Sequence, residues 1–187
     1  MASGGRPGKS TAANNELLKK SWENPGSINW FISPTYDSAR IMFRRATQAL
    51  RNCPDIFSDN KSELMIELSN GSKIFYKSGD VLENLRTETL NGVVIDEVRN
   101  QHKNLWPLVI RPMLTTTKGW AVFISTPNGF DHFYDLYDFA RTDTTGNWVA
   151  MNAPSTCNPL ITKEELDDAR RSMSEAEFAQ EYLALVS

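Results

Sequence analysis

The chain has 187 residues, enough for one domain with a substantial core; 40% are hydrophobic, 23% are charged, and the formal charge is -3. That balance argues against a disordered tail, a membrane-embedded protein and a globally basic nucleic-acid binder, while leaving room for a local basic stripe. No apolar run nears the roughly 20 residues a spanning helix needs, and no charged-then-apolar leader opens the chain, so a cytosolic protein without membrane contact is expected.

The first feature in chain order is Ser3-Gly4-Gly5-Arg6-Pro7-Gly8-Lys9-Ser10-Thr11. Glycines that tolerate positive φ free the backbone N–H groups of such a turn to converge on phosphate oxygens at the positive end of the following helix. Lys9 would reach the β- and γ-phosphates and Ser10 would hold Mg²⁺. The pattern G-x-x-x-x-G-K-[ST] puts Ser3 where its first glycine belongs, and the stretch also suits a solvated glycine-rich tail. A phosphate loop needs a strand feeding it, and only Met1 and Ala2 precede this one.

Residues 11 to about 21 carry a helical pattern stopped by Asn24-Pro25-Gly26, and residues 28 to 33 are β-branched and aromatic, the mark of a buried strand. Asp37 can cap a helix to about residue 51, with Ala39, Met42, Phe43, Ala46 and Leu50 near one face. Leu64, Ile66 and Leu68 alternate with polar residues, Asn70-Gly71 makes a turn, and Ile74-Phe75-Tyr76 returns, so a β-hairpin is expected. Val93-Val94-Ile95 reads as a central parallel strand ending in Asp96-Glu97. Residues 105 to 114 read as a helix broken by Pro107 and Pro112. Residues 120 to 124 form another apolar strand, delivering Ser125-Thr126-Pro127-Asn128-Gly129. Phe133, Leu136, Tyr137 and Ala140 mark a short helix and residues 148 to 151 a strand. Thr162-x-x-Glu165 and Ser174-x-x-Glu177 are capping boxes that open two amphipathic helices. The alternation of strands and helices predicts an α/β fold with a mainly parallel sheet.

Asp96 and Glu97 at a strand end suit two roles in phosphoryl transfer: Asp96 for the metal, Glu97 to orient or deprotonate the attacking water. The same acids also suit a helix cap. Ser125 and Thr126 could register loss of the γ-phosphate, or simply start a Thr-Pro turn. Cys53 and Cys157 lack metal or framework spacing, and isolated His102 and His132 read as structural. Lys19, Lys20, Arg40, Arg44, Arg45 and Arg51 form a cationic cluster, which on helices is more often a solvated face than a nucleic-acid contact.

In this order the motifs resemble the ATPase domain of the large terminase subunit of tailed bacteriophages. Gly4-Gly5-Arg6-Pro7-Gly8-Lys9-Ser10 is similar to its Walker A loop, Val94-Ile95-Asp96-Glu97 to its Walker B segment, and Ser125-Thr126-Pro127-Asn128-Gly129 to its coupling motif. Ser33-Pro34-Thr35-Tyr36, Leu85-Arg86, Asn158-Pro159-Leu160-Ile161 and Phe178-x-Gln180-Glu181-Tyr182-Leu183-Ala184 also stand where that family has similar stretches. Thr87 replaces a usual glycine.

The resemblance implies a P-loop NTPase core with helices on both faces of the sheet and one β-hairpin insertion. It implies ATP and Mg²⁺ bound by residues 4 to 11, with Ser10 and Asp96 on the metal. Glu97 and Lys9 would be catalytic, with Arg6 acting in cis on the γ-phosphate, and Ser125, Thr126 and Pro127 coupling hydrolysis to movement of double-stranded DNA in the bacterial host. Portal, small terminase subunit and a homo-oligomeric ring are the implied partners. The strand before the P-loop and a nuclease domain are expected to be missing, leaving residues 1–187 as a single partial ATPase domain that binds ATP weakly or not at all by itself, because the lost strand would leave backbone groups unpaired. A catalytically silent interaction remnant and a helicase-like DNA-dependent ATPase are the rival readings. A GTPase reading of Asp143-Thr144-Thr145-Gly146 fails, because Asn60-Lys61-Ser62-Glu63 precedes it without a base-reading Asp.

Overall fold

The computed structural model describes residues 8–85, 89–126, 131–152, 162–175 and 177–178. The chain divides into two compact units, Met1–Ile124 and Ser125–Ser187. Among the described residues, no helix is long and apolar enough to cross a membrane.

The first element among the described residues is helix α1 (Gly8–Glu23), which buries Ala13, Asn14, Leu17 and Ser21 along one stripe. Its last carbonyls need partners from outside the helix. The Asn70 side-chain amide supplies them, donating to Ser21 O at 3.0 Å and Trp22 O at 2.9 Å. Asn70 therefore serves the helix as well as the turn in which it sits. Gly26, at φ 73°, turns the chain into β1 (Ile28–Ser33). A buried polar network steers that entry: the Asn29 amide donates to Ser21 Oγ (2.9 Å) and Ser27 Oγ (2.8 Å), and Ser72 Oγ donates to Asn24 O (2.9 Å).

Helix α2 (Tyr36–Leu50) buries Ala39, Met42, Phe43 and Ala46, as the periodicity predicts. Its cap is Thr35 rather than Asp37. The Thr35 hydroxyl accepts the Ser38 N–H at 3.2 Å, the Ser38 hydroxyl accepts the Thr35 N–H at 3.1 Å, and Asp37 lies inside the first turn, paired with Arg40 at 2.9 Å.

The sheet has six strands in the order β2-β3-β4-β1-β5-β6. The expected hairpin is β3 (Met65–Leu68) and β4 (Lys73–Ser78), with Gly71 at φ 84° in its turn. Beyond it an unpredicted edge strand, β2 (Phe57–Asn60), pairs antiparallel with β3. β4 pairs parallel with β1, so the hairpin extends the main sheet. β1, β5 (Gly92–Ile95) and β6 (Trp120–Phe123) continue it in parallel.

The pleat sends Phe31, Ile74, Tyr76 and Val94 into one core with Leu17 of α1 and Met42 and Phe43 of α2. On the opposite face, the Trp106 ring meets Phe123 edge-on at 4.7 Å between ring centres. Trp106 belongs to a π-helical turn (Leu105–Ile110) that runs into the short helix α3 (Arg111–Thr115). This is the proline-bearing segment expected to be broken: the wide turn replaces a regular helix around Pro107, which lacks an N–H donor, while Pro112 sits in the first turn of α3, where no intrahelical donor is needed. At Gly92 a Cβ would lie 2.3 Å from the Trp120 indole, so only glycine lets that ring cross the strand.

The second unit contains α4 (His132–Thr142), capped by the Asp131 carboxylate through the N–H groups of Phe133 and Tyr134, and α5 (Lys163–Ser172), opened by the expected Thr162–Glu165 capping box. Residues 148–151 form no strand: Val149 and Met151 are 85% and 84% exposed, and a strand persists only as part of a ladder. Asp143 uses its carboxylate on the N–H groups of Asn147 and Trp148, closing the loop after α4. Ser174 and Glu177 exchange the second capping-box bonds at 3.2 and 2.9 Å, while residues 158–161 and 179–187 lie outside the described residues.

Candidate functional site

Parallel pairing of β1, β5 and β6 brings their carboxyl ends to one edge of the sheet, where open α/β sheets hold ligands. Helix α1 enters β1 through a turn at the opposite edge, so its first residues return to the carboxyl edge. That traverse brings together two residues 86 positions apart: Ser10 Oγ donates to Asp96 Oδ1 at 3.0 Å.

Asp96 directly follows β5 and is only 8% exposed. Its N–H continues the ladder to Ile32 O at 2.9 Å, and its C=O accepts the Gln101 side-chain amide at 3.0 Å. Oδ1 also accepts the Glu97 N–H at 3.0 Å. Burial pushes the Asp96 carboxyl above the usual carboxylate range. The Ser10 and Glu97 hydrogen bonds oppose that shift, the Glu97 charge adds to it, and the Lys9 ammonium opposes it. Lys9 and Ser10 thus share one electrostatic environment with the two acids. The first-turn N–H groups of α1 contribute partial positive charge, with no acidic residue in that turn to neutralise it.

Glu97 adopts the left-handed conformation, φ 45° and ψ 53°, where a non-glycine residue is uncommon. This turns the chain off β5 into the tight helical turn Val98–Asn100 and leaves the carboxylate exposed. Asn100 then donates its side-chain amide to Glu97 Oε2 at 2.8 Å, and Val98 N–H donates to Ile124 O at 3.0 Å. Asn100 and Gln101 escaped the sequence reading. The Asn100 spacing, three residues after Glu97, was available as a signal; the Gln101 contact had none, because it depends on the turn that Glu97 makes.

Gly8, Lys9, Ser10 and Thr11 form the first turn of α1 at this edge. Gly4, Gly5, Arg6 and Pro7 lie outside the described residues, as does Pro127. Ser125 and Thr126 follow β6 in the chain and begin the second unit, where Ser125 Oγ donates to Thr126 O at 3.4 Å. Of the sequence candidates, the fold therefore gathers Lys9, Ser10, Asp96 and Glu97. Among the described residues no group of three or more His, Cys, Asp or Glu is arranged around a metal position.

Over residues 1–185 the sequence matches the family described as terminase large subunit, T4likevirus-type, N-terminal. The chain belongs to the terminase large subunit family. It is 31% identical over 153 residues to the large terminase subunit of Thermus phage G20c, covering 72% of this chain and 32% of that protein. The large subunit of Escherichia phage T5 is 30% identical over 156 residues, 82% of this chain and 36% of its own length. The chain thus spans about a third of the length of these terminase relatives. The ATPase domain of the Thermus phage P74-26 large terminase shares the fold at a TM-score of 0.84 and 27% identity, over 98% of this chain and 86% of that one. The α/β class and mainly parallel sheet expected from the sequence are borne out by both the strand pairing and this terminase likeness.

Proposed function

We propose that this chain is the ATP-hydrolysing part of a DNA-packaging motor. The observation that carries the reading is the Ser10–Asp96 hydrogen bond at the start of α1, with Lys9 and Glu97 beside it. The named ATPase domain of the Thermus phage relative supports it.

The oxygen donors fit Mg²⁺: one hydroxyl and one carboxylate are hard ligands of the kind this ion takes beside phosphate oxygens and water. When bound, Mg²⁺ neutralises charge on the phosphates. Lys9 reaches the β- and γ-phosphates while the first-turn N–H groups of α1 hold their oxygens. Ser10 Oγ and Asp96 Oδ1, already hydrogen-bonded to each other, would hold the metal. Glu97 orients the attacking water and takes its proton on a carboxylate oxygen, with Asn100 fixing the carboxylate's other edge. Arg6 acts in cis on the γ-phosphate. Ser125, Thr126 and Pro127 couple its loss to DNA movement. Residues 1–187 act as one ATPase domain in a ring of copies, with double-stranded DNA, portal and small terminase subunit as partners.

The test separates binding from chemistry. Millimolar Mg·ATP is expected to raise the melting temperature of the wild-type chain, and Lys9→Ala to abolish the shift. Glu97→Gln is expected to keep the shift while lowering turnover by about 10²–10⁴-fold. Full turnover in Glu97→Gln, or no Mg·ATP shift in the wild type, overturns the reading and favours a catalytically silent interaction module.

A further inference from the structure

The six cations of the sequence cluster do not stay together. Lys19 and Lys20 lie on α1 within 3.9 and 3.7 Å of Glu23 and Glu16, and Arg45 turns to the Met42 sulfur at 3.8 Å. Arg40 and Arg44 on α2 and Arg51 at its C-terminal cap instead share one stripe, at i, i+4 and i+11. Across from them stands Lys61, on the turn after β2, and the four cations line a groove of about 490 Å³ floored by Phe43 and Leu64.

Three features define what this groove can accept. Its lining contains no acid, and the side chains of Arg44, Arg51 and Lys61 have no acidic partner among the described residues; only Arg40 is paired, with Asp37. Its apolar floor is spent on the core: Phe43 and Leu64 are each 3% exposed, so the groove offers no large apolar anchor of the kind that dominates protein interfaces. Its cations form a line, since Arg40 to Arg51 covers about 16 Å along the helix axis. That is the axial length of about five phosphates of one duplex strand. The wall opposite α2 is ordered, because Asn60 Oδ1 accepts the N–H groups of Ser62 and Glu63 at 3.0 and 3.3 Å. On a chain of net charge -3, a stripe of this kind is a local attractor that orients a polyanion.

We infer that the groove between α2 and the β2–β3 turn seats a nucleic-acid phosphate backbone. The identity of that polyanion as double-stranded DNA rests on the function proposed above; the seat itself rests on the groove. Arg44, Arg51 and Lys61 supply phosphate contacts that carry no sequence information, as a translocating motor requires.

The experiment follows anisotropy of a labelled duplex of about 30 base pairs on the full chain between about 50 and 200 mM salt. It compares the wild type, the triple variant Arg44→Gln, Arg51→Gln, Lys61→Gln, and the control pair Lys19→Gln, Lys20→Gln. Losing three phosphate contacts should flatten the plot of log affinity against log salt by about 2 to 3 and weaken binding at least tenfold at low salt, whereas the control pair should track the wild type. An unchanged slope overturns the inference, as does a wild type that binds no duplex. A triple variant that binds duplex normally but loses self-association in sedimentation also overturns it, and assigns the groove to an acidic surface of a second copy. The Mg·ATP melting shift, run in parallel, should be the same in wild type and triple variant. Its absence from the wild type would count against the nucleotide reading alone, leaving the groove to be judged by the duplex titration.

Discussion

In the function proposed above, Asp96 is held in a conflict between folding and binding. Burial lifts its carboxyl pKa above that of the unfolded chain, so the folded state favours the protonated form. By linkage, the stability this group contributes is fully present below the ordinary carboxylate range and is lost as pH rises through the raised folded value. At neutral pH, then, the charged Asp96 is a cost to the fold. Asp96→Asn is expected to raise the melting temperature of the nucleotide-free chain while eliminating the Mg·ATP shift, a trade of stability against function. For the same reason, Mg·ATP affinity in the wild type should decline on acidification at a higher pH than an ordinary carboxylate would dictate, which isothermal titration across pH checks. Tyr76 presents the opposite case. Its phenol is fully buried, pushed far up in pKa, and donates to Asn14 Oδ1 at 2.9 Å. Tyr76→Phe leaves that acceptor buried without its donor and should cost about 1–3 kcal/mol in a denaturant melt.

At the level of elements, local chemistry explains most boundaries. Pro34 ends the run of β1, Thr35 caps α2, and the exchange with Ser38 satisfies donors that the helix leaves open. Thr35→Ala should therefore cost about 1 kcal/mol by chemical denaturation. Asp37→Ala should cost less, because Asp37 makes only an exposed pair with Arg40. Strand β2 shows where local chemistry fails. Phe57-Ser58-Asp59-Asn60 carries two residue types depleted from strands, and it is a strand because β3 offers it a ladder from Phe57↔Leu68 to Asn60↔Met65. Residues 148–151 fail in the other direction, with strand-forming side chains exposed and no strand made.

For the molecule as a whole, the parallel strands and α1 act as a frame that delivers chemistry to one edge. Gly92 is part of that frame rather than of the site: Gly92→Ala would drive a methyl into the Trp120 indole and should destabilise by about 1–3 kcal/mol, read from a thermal melt. Such a loss would leave the site residues untouched in sequence and impair them only through the spacing of β5 and β6.

Much of this was legible without coordinates. The apolar strand ending in Asp96-Glu97, the Asn70-Gly71 hairpin and the buried stripe of α2 were all readable, because periodicity, turn chemistry and capping act over a few residues and leave their mark in order along the chain. Of the glycine-rich loop, residues 3–7 lie outside the described residues, and Gly8-Lys9-Ser10 already belong to helix α1. The fold alone decided that β4 joins β1 in parallel, that Ser10 meets Asp96 across 86 residues, and that Lys61 rather than Lys19 or Lys20 stands opposite the arginines of α2. Those choices depend on which surfaces bury one another at long range, a selection made by packing the whole sheet and its helices at once, which no short stretch of sequence encodes.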